Sequence, residues 1–271
     1  MVTLESMAGM TTRRAIVRVP VGGEPARAPD DLAVEAPLVL GLGDETIATL
    51  MRTPGHDLEL AAGWLVVESG VRNPDDLIAL RACWQDGTDR VQLSLRPGVR
   101  PPRPRAFVTG AACGVCSADV VDLHPLATTA PHQPGWRVRA DVLAGLPAAM
   151  RDGQRAFART GGLHAAALGD AEGRLDVVRE DVGRHNAVDK VVGHALLAGE
   201  LPATDRLLVV SGRVSFEIVQ KAVAAGVAGI VAVSAPSSLA VDLAREHGLL
   251  LAALVRDERM NVYAGDDLLT T

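Results

Sequence analysis

Two patterns of apolar and polar positions divide this chain of 271 residues into two parts. In the first part, short β-prone runs separated by turn residues predict a strand within 13–22 and hairpins at 36–51 and 77–95. Between the hairpins, apolar residues at helical spacing predict a helix over 56–69. The first part is therefore expected to be a small α+β lobe.

From residue 141 onward, helical segments alternate with short apolar strands. Helices are predicted at 141–150, 154–159, 185–197, 216–225 and 237–246, and strands at 163–168, 174–178, 206–210, 229–233 and 249–255. This alternation is typical of a mainly parallel sheet with helices on both faces. We therefore predict the α/β class, with a three-layer α/β/α lobe in the second part.

The segment 96–105 separates the two patterns. It contains four prolines, so it cannot form a helix or an interior strand. We divide the chain into an N-terminal lobe at 13–105, a cysteine loop and linker at 106–140, and a C-terminal lobe at 141–271. The middle segment is expected to be mobile.

Composition narrows the class of protein. The chain is 48% hydrophobic and 22% charged with a net charge of −6, which is typical of a globular protein and argues against a general nucleic-acid binder. It has neither a signal-peptide pattern at its start nor a run of 18 apolar residues. We therefore expect a cytoplasmic protein that neither enters a membrane nor binds nucleic acid.

Two of the three cysteines, Cys113 and Cys116, lie close together in the middle segment. Such a pair can bind a metal, form a disulfide or act as a nucleophile, and the spacing alone does not decide among these. A structural zinc site needs four ligands, and the spacing of the histidines does not supply the other two. The third cysteine, Cys83, lies on a predicted strand and is expected to be buried.

The sequence lacks the motifs of the common nucleotide-dependent enzymes. The chain contains neither a Walker loop nor a Gly-x-Gly-x-x-Gly fingerprint. The zinc deaminases carry His-x-Glu before their cysteine pair, but here His164 is followed by Ala165 and Ala166, and it comes after the pair. We therefore expect neither ATP hydrolysis, dinucleotide redox chemistry nor deamination.

Three strand-to-helix junctions, at 179–186, 211–215 and 234–238, carry small, hydroxyl or basic residues. Carboxyl ends of parallel strands lie at one edge of a sheet, and free amides at helix starts favour anions. Taken singly, each junction could be an ordinary helix cap. Taken together, they predict a pocket for a phosphorylated ligand.

Six segments, in this order along the chain, carry a resemblance to a known family: Arg52–Asp57, Cys113–Cys116, Thr160–Ala166, Arg179–Lys190, Ser211–Glu217 and Val233–Ser238. They resemble the formate dehydrogenase accessory sulfurtransferases of the FdhD type. The resemblance implies a cytidine-deaminase-like fold. It also implies that Cys113 accepts sulfur from a cysteine desulfurase as a persulfide and passes it to the molybdenum cofactor of formate dehydrogenase.

The cofactor implied is Mo-bis(molybdopterin guanine dinucleotide), bound as substrate, with a guanine nucleotide as its mimic. Cys116 is expected to assist Cys113, no resident metal is predicted, and a homodimer is expected. The side chains predicted to contact the cofactor are His164, Asp181, Arg184, His185, Asn186, Ser211, Arg213, Ser215, Arg256, Asp257, Glu258, Arg259, Met260 and Asn261.

Within that set, the carboxylate of Asp181 suits the donors of guanine, and Arg213 suits a pyrophosphate. Glu217 and Lys190 are expected to pair with neighbours within the lobe. An alternative remains open, in which the protein is a non-catalytic nucleotide-binding chaperone whose cysteine pair holds zinc.

Overall fold

The computed structural model describes residues 9–103, 108–109, 132–256 and 259–270. Cys113, Cys116, Asp257 and Glu258 lie outside the described residues, so the roles given to them above stay predictions. Within the described ranges, no helix is both long enough and apolar enough to cross a membrane.

The first elements in the described residues are β1 (Thr11–Arg18) and β2 (Ala26–Ala33), which form a two-stranded antiparallel sheet. The first strand was predicted and the second was not. Its sequence includes Pro29, Asp30 and Asp31, which are residue types that strands disfavour. Both strands are only partly buried, so β2 carries little of the apolar alternation on which the prediction depends.

A five-stranded sheet follows, in the order β5-β6-β3-β4-β7, and its last strand comes from the segment after the N-terminal lobe. Its elements are β3 (Ala36–Leu42), β4 (Glu45–Arg52), α1 (Asp57–Glu68), a 3-10 turn (Pro74–Asp76), β5 (Leu77–Gln85), β6 (Thr88–Leu95) and β7 (Val108–Thr109). Both predicted hairpins and the predicted helix are confirmed. The hairpins join through parallel pairing of β3 with β6.

Cys83 lies on β5, as predicted, but its expected burial is wrong. The cysteine is exposed, and the neighbouring Trp84 is 69% exposed. The reason is the position of β5 at the end of the sheet, where the last residues of the strand extend beyond the core.

The C-terminal lobe contains a six-stranded sheet in the order β10-β9-β11-β12-β13-β14. The strands of this lobe are β8 (Val138–Arg139), β9 (His164–Gly169), β10 (Leu175–Asp181), β11 (Leu207–Val210), β12 (Gly229–Ala232), β13 (Leu250–Arg256), β14 (Arg259–Ala264) and β15 (Leu269–Thr270). The short strands β8 and β15 pair separately.

The prediction of a mainly parallel sheet is wrong. Only the pairs β11–β12 and β12–β13 are parallel, whereas β10–β9, β9–β11 and β13–β14 are antiparallel. The physical reason is the connections at the two sides of the sheet. Strands β9 and β10 are separated by only five residues, and β13 and β14 by two, so each pair runs in opposite directions.

Helices cover both faces of this sheet, as predicted. They are α2 (Ala140–Gly153), α3 (Arg155–Thr160), α4 (Arg184–Ala198), α5 (Phe216–Ala225) and α6 (Ser238–Glu246). One face packs against α2 through Leu143, Leu146 and Met150. The other face shares a core with α1, α4, α5 and α6. The lobe therefore has three layers, while its likeness to cytidine deaminases stays a prediction.

Helices α1 and α4 cross with their backbones in contact. A Cβ on Gly63 would overlap the carbonyl group of Asp189, and a Cβ on Gly193 would overlap that of Glu59. Only glycine therefore fits at the two crossing positions. One hydrophobic core runs across this contact, so the N-terminal lobe fixes the position of α4. The domain boundaries given above stay predictions.

Candidate functional site

One edge of the six-stranded sheet collects the predicted site residues. Strands β10, β11, β12 and β13 end at this edge, while the antiparallel strands β9 and β14 begin there. Because β9 and β14 run in the opposite direction, their first residues lie beside the last residues of their neighbours. His164, Asp181, Ser211, Arg256 and Arg259 therefore share one edge, which we call the ligand edge.

Asp181 lies at the end of β10 with its side chain completely buried. Its Oδ1 accepts hydrogen bonds from the amide of Gly183 at 2.8 Å and from Nδ2 of Asn186 at 2.9 Å. Its Oδ2 accepts from the amide of Thr53 at 3.1 Å and lies 2.7 Å from Nζ of Lys190. Both oxygens are used inside the protein, so the arrangement does not support the direct guanine contact predicted for Asp181.

The first turn of α4 supplies three predicted residues. Asn186 is buried and donates to the carbonyl of Met51 at 2.8 Å as well as to Asp181, so it acts within the protein. Arg184 and His185 begin the helix beside the ligand edge. The helix is capped by Gly183 without a side-chain hydrogen bond, and the start of a helix favours an anion.

Arg184 and His164 meet over Gly212. A Cβ on Gly212 would lie 3.3 Å from Nδ1 of His164 and 3.4 Å from Cδ of Arg184. The glycine therefore lets a cationic side chain and an imidazole approach the same stretch of backbone after β11.

Burial is the main cause that lowers the pKa of His164, and the nearby positive charge of Arg184 lowers it further. His185 and Arg213 act in the same direction, while Asp181 opposes them. The imidazole of His164 is therefore neutral at pH 7, and it can both donate and accept a hydrogen bond.

The junction between β11 and α5 differs from an ordinary cap. Ser211 is occupied internally, because its Oγ accepts from the amide of Ala165 at 2.9 Å. Ser215 is the N-cap residue of α5 but makes no capping hydrogen bond. Its Oγ lies 3.3 Å from Nε2 of His185 instead. The starting amides of α5 thus lack a side-chain cap next to two cationic residues, Arg184 and Arg213.

His185 forms a pair with Glu217, with 2.8 Å between Nε2 and Oε2. Burial alone would raise the pKa of Glu217, but the hydrogen bond from His185 and the charges of His185, Lys221 and Arg184 lower it overall. The carboxylate therefore stays ionised and orients the imidazole.

The β12–α6 junction contributes a plain cap. Oγ of Ser237 accepts from the amide of Ala240 at 3.3 Å, as an N-cap serine does. An isolated bridge between Val214 and Pro236 joins this junction to the preceding one.

The hairpin of β13 and β14 closes the ligand edge. Arg256 and Arg259 are exposed and lie opposite each other on the two strands, where like charges are unfavourable unless an anion lies near them. Asn261 is exposed and donates to the hydroxyl of Tyr263, whereas Met260 packs against the core. Four strand spacings, about 19 Å, separate β9 from β14.

Arg52 has a structural role that was not predicted from the sequence. Its guanidinium is buried and donates to both carboxylate oxygens of Asp57, at 3.0 and 2.8 Å, and to Asp89 at 2.6 Å. Although burial acts to lower its pKa, the two carboxylates raise it. The pair Arg52–Asp57 thus fixes the turn between β4 and α1, which accounts for the polar segment Arg52–Asp57.

Within the described residues, no group of three His, Cys, Asp or Glu side chains could hold a metal ion. Cys113 and Cys116 lie outside those residues. The zinc alternative for the cysteine pair therefore stays open.

Comparison with known proteins decides the family. The model of the FdhD/NarQ family matches residues 33–270. The chain belongs to the FdhD/NarQ family. The resemblance found in six short segments is thus confirmed over most of the chain.

Curated relatives are similar to this chain over about nine tenths of their length. A protein named "Sulfur carrier protein FdhD" from Nocardia farcinica is 47% identical over 265 residues, which cover 94% of each chain. A protein of the same name from Mycobacterium tuberculosis is 43% identical over 255 residues, covering 89% of this chain and 92% of that one.

A solved structure has the same fold as this chain. It is a crystal structure of a candidate formate dehydrogenase accessory protein from Desulfotalea psychrophila, with a TM-score of 0.77 and 23% sequence identity. The similarity covers 96% of this chain and 100% of that chain.

Proposed function

We propose that this protein is a sulfur carrier that takes sulfur from a cysteine desulfurase on Cys113 and delivers it to the molybdenum cofactor of a formate dehydrogenase. The name of the curated family members supports sulfur carriage. The single structural observation that carries the proposal is the ligand edge. It gathers cationic side chains and the uncapped start of α5 without any signature of phosphate hydrolysis.

Loading of the carrier is a sulfur exchange. The thiolate of Cys113 attacks the outer sulfur of the persulfide on the desulfurase, and a new sulfur–sulfur bond forms as the old one breaks. The desulfurase cysteine leaves as a thiolate, so no external oxidant or reductant is needed. The outer sulfur is then carried as a persulfide on Cys113.

Delivery requires that the outer sulfur leaves as sulfide. Attack by the thiolate of Cys116 on the inner sulfur of Cys113 would release sulfide to the cofactor and leave a disulfide between the two cysteines. A cellular thiol would then reduce that disulfide for the next cycle. This gives Cys116 a role distinct from that of Cys113.

The substrate proposed for the ligand edge is Mo-bis(molybdopterin guanine dinucleotide). Arg184, Arg213 and the start of α5 suit its phosphates, and neutral His164 suits a polar group that needs both a donor and an acceptor. The pair Arg256 and Arg259 would hold anionic groups further along. Strand β9, which carries His164, lies about 19 Å from β14, which carries Arg259, and this span suits a ligand longer than one nucleotide.

The deciding experiment is mass spectrometry of the full chain after incubation with a cysteine desulfurase and free cysteine. We expect a gain of one sulfur atom on the peptide that contains Cys113. Cys83 is the matched control, because it is another cysteine of this chain and lies exposed on β5. Sulfur on Cys83 and Cys113 alike would mean unspecific persulfidation and would contradict the proposal.

A second experiment separates carriage from binding. Cys113→Ala should abolish activation of formate dehydrogenase in an extract that lacks the native carrier, while guanine nucleotide binding stays unchanged. Full activation by this variant would overturn the role of Cys113. Zinc bound in a one-to-one ratio and lost in Cys113→Ala and Cys116→Ala would favour the chaperone alternative.

A further inference from the structure

The turn after β4 and the turn after β10 are joined across the two lobes. Oγ1 of Thr53 accepts a hydrogen bond from the amide of Val182 at 3.1 Å, and the amide of Thr53 donates to Asp181. Asn186 adds a bond to the carbonyl of Met51. The segment that begins α4 is therefore held by the N-terminal lobe as well as by its own sheet.

Lys190 lies at the centre of this junction with its side chain completely buried. Its Nζ donates to the carbonyl of Thr53 at 2.9 Å and to that of Glu180 at 3.1 Å, and it lies 2.7 Å from Oδ2 of Asp181. The ammonium group has three donors, and all three have acceptors. One atom thus connects the turn after β4 with the end of β10.

The composition of the chain makes this lysine unusual. Of the 27 lysine and arginine residues, only Lys190 and Lys221 are lysines. An arginine carries its donors on a larger planar group, which cannot direct three bonds from one point. In a chain that otherwise uses arginine, a lysine at this buried position indicates a geometric requirement.

We propose that Lys190 is a positioning residue of the ligand edge, which holds the turn at 181–183 so that Arg184 and His185 face an anionic ligand. The proposal rests on the proposed function, because it concerns the guanine nucleotide site of that function. Lys190 touches no ligand itself; it acts through the two turns that it connects.

The test is calorimetric binding of GDP to the full chain and to its variants. Lys190→Arg keeps the charge but not the geometry, and Lys190→Met removes both. In Lys190→Met, the buried carboxylate of Asp181 loses its cation. The double variant Lys190→Met with Asp181→Asn removes that negative charge as well, so it can be tested if the single variant does not fold. Leu143→Ala is the control, since it weakens the core on the opposite face, beneath α2, and touches neither turn.

We expect each Lys190 variant that folds to bind GDP about tenfold more weakly, because small displacements of binding groups have large effects on affinity. Leu143→Ala should bind GDP with the affinity of the parent when each protein is measured at the same number of degrees below its own Tm. In the Lys190 variants, hydrogen exchange should accelerate at the amides of Thr53, Val182 and Gly183.

Two results would be negative, and they differ from each other. Unchanged GDP affinity in the folded Lys190 variants would overturn this inference and leave the proposed function intact. Absence of GDP binding by the parent chain would overturn the proposed ligand, and this inference with it.

Discussion

The junctions after β11 and β12 have the same length and the same N-cap residue, but they differ in what surrounds them. Each has five residues after the strand, and the fifth is the N-cap serine, Ser215 or Ser237. The bridge between Val214 and Pro236 places them in register. Ser237 caps its helix, whereas Ser215 faces His185.

The difference comes from neighbouring strands rather than from the junctions alone. Strand β11 lies beside β9, which places His164 and the start of α4 next to the first junction. In register, Arg213 corresponds to Ala235, and Glu217 corresponds to Leu239. A shared local form therefore becomes a candidate binding site only where the sheet supplies cationic neighbours.

The largest effect is expected at Gly193, where α4, the helix that begins beside the first junction, crosses α1. Gly193→Ala would place a Cβ against the backbone of α1, which should lower the free energy of unfolding by about 3 kcal/mol or more. The measurement is urea unfolding. Gly145→Ala is the matched control, because that helical glycine has open space, and it should raise stability by up to about 1 kcal/mol. Equal effects of both variants would contradict the tight crossing of α1 and α4.

The second prediction concerns variants that move the arginine from the first junction to the matching position of the second. Arg213→Ala should weaken GDP binding by about tenfold, or about 1.4 kcal/mol, through loss of a charge-assisted contact. Ala235→Arg should change affinity by no more than about twofold. The double variant Arg213→Ala with Ala235→Arg should not recover binding, because the second junction lacks His164 and His185. Recovery would show that the charge alone decides.

The third prediction separates capping from binding. Ser237→Ala should lower the free energy of unfolding by about 1 kcal/mol through loss of the cap, with unchanged GDP affinity. Ser215→Ala should change stability by less than about 0.5 kcal/mol, while it weakens GDP binding. Denaturant unfolding and calorimetry measure the two effects. The reverse pattern would mean that Ser215 is the cap and Ser237 the binding residue.

The smallest effect concerns pH. The pKa of Glu217 is lower in the folded protein than its ordinary value of about 4.5, so its contribution to stability is present above that value. That contribution is lost as the pH falls toward the folded pKa. Glu217→Gln should therefore show a smaller loss of stability on acidification than the parent. Leu239→Gln, at the matching position of the second junction, should leave the loss unchanged; identical curves for all three chains would contradict the role of Glu217.

The sequence predicted those features that depend on neighbours along the chain. The helices α5 and α6 were found because apolar side chains recur with the period of a helix. The mixed direction of the sheet was not found, since pairing joins strands such as β9 and β11 that are distant along the chain. The exposure of Cys83 depends on the end position of β5, which no local pattern indicates.

The sequence by itself determined the helices α1 to α6 and most of the longer strands, though not β2 or β14. It also determined the chemistry of the three junctions and the resemblance to the FdhD type. The tertiary structure decided which polar side chains face the ligand edge and which serve the fold. Asp181 and Lys190 belong to the second group because a buried charge needs partners, and one of theirs, Thr53, lies 128 residues away from Asp181 in sequence. The same buried bonds hold the start of α4, with Arg184 and His185, at the edge of the sheet, where we propose that the ligand binds.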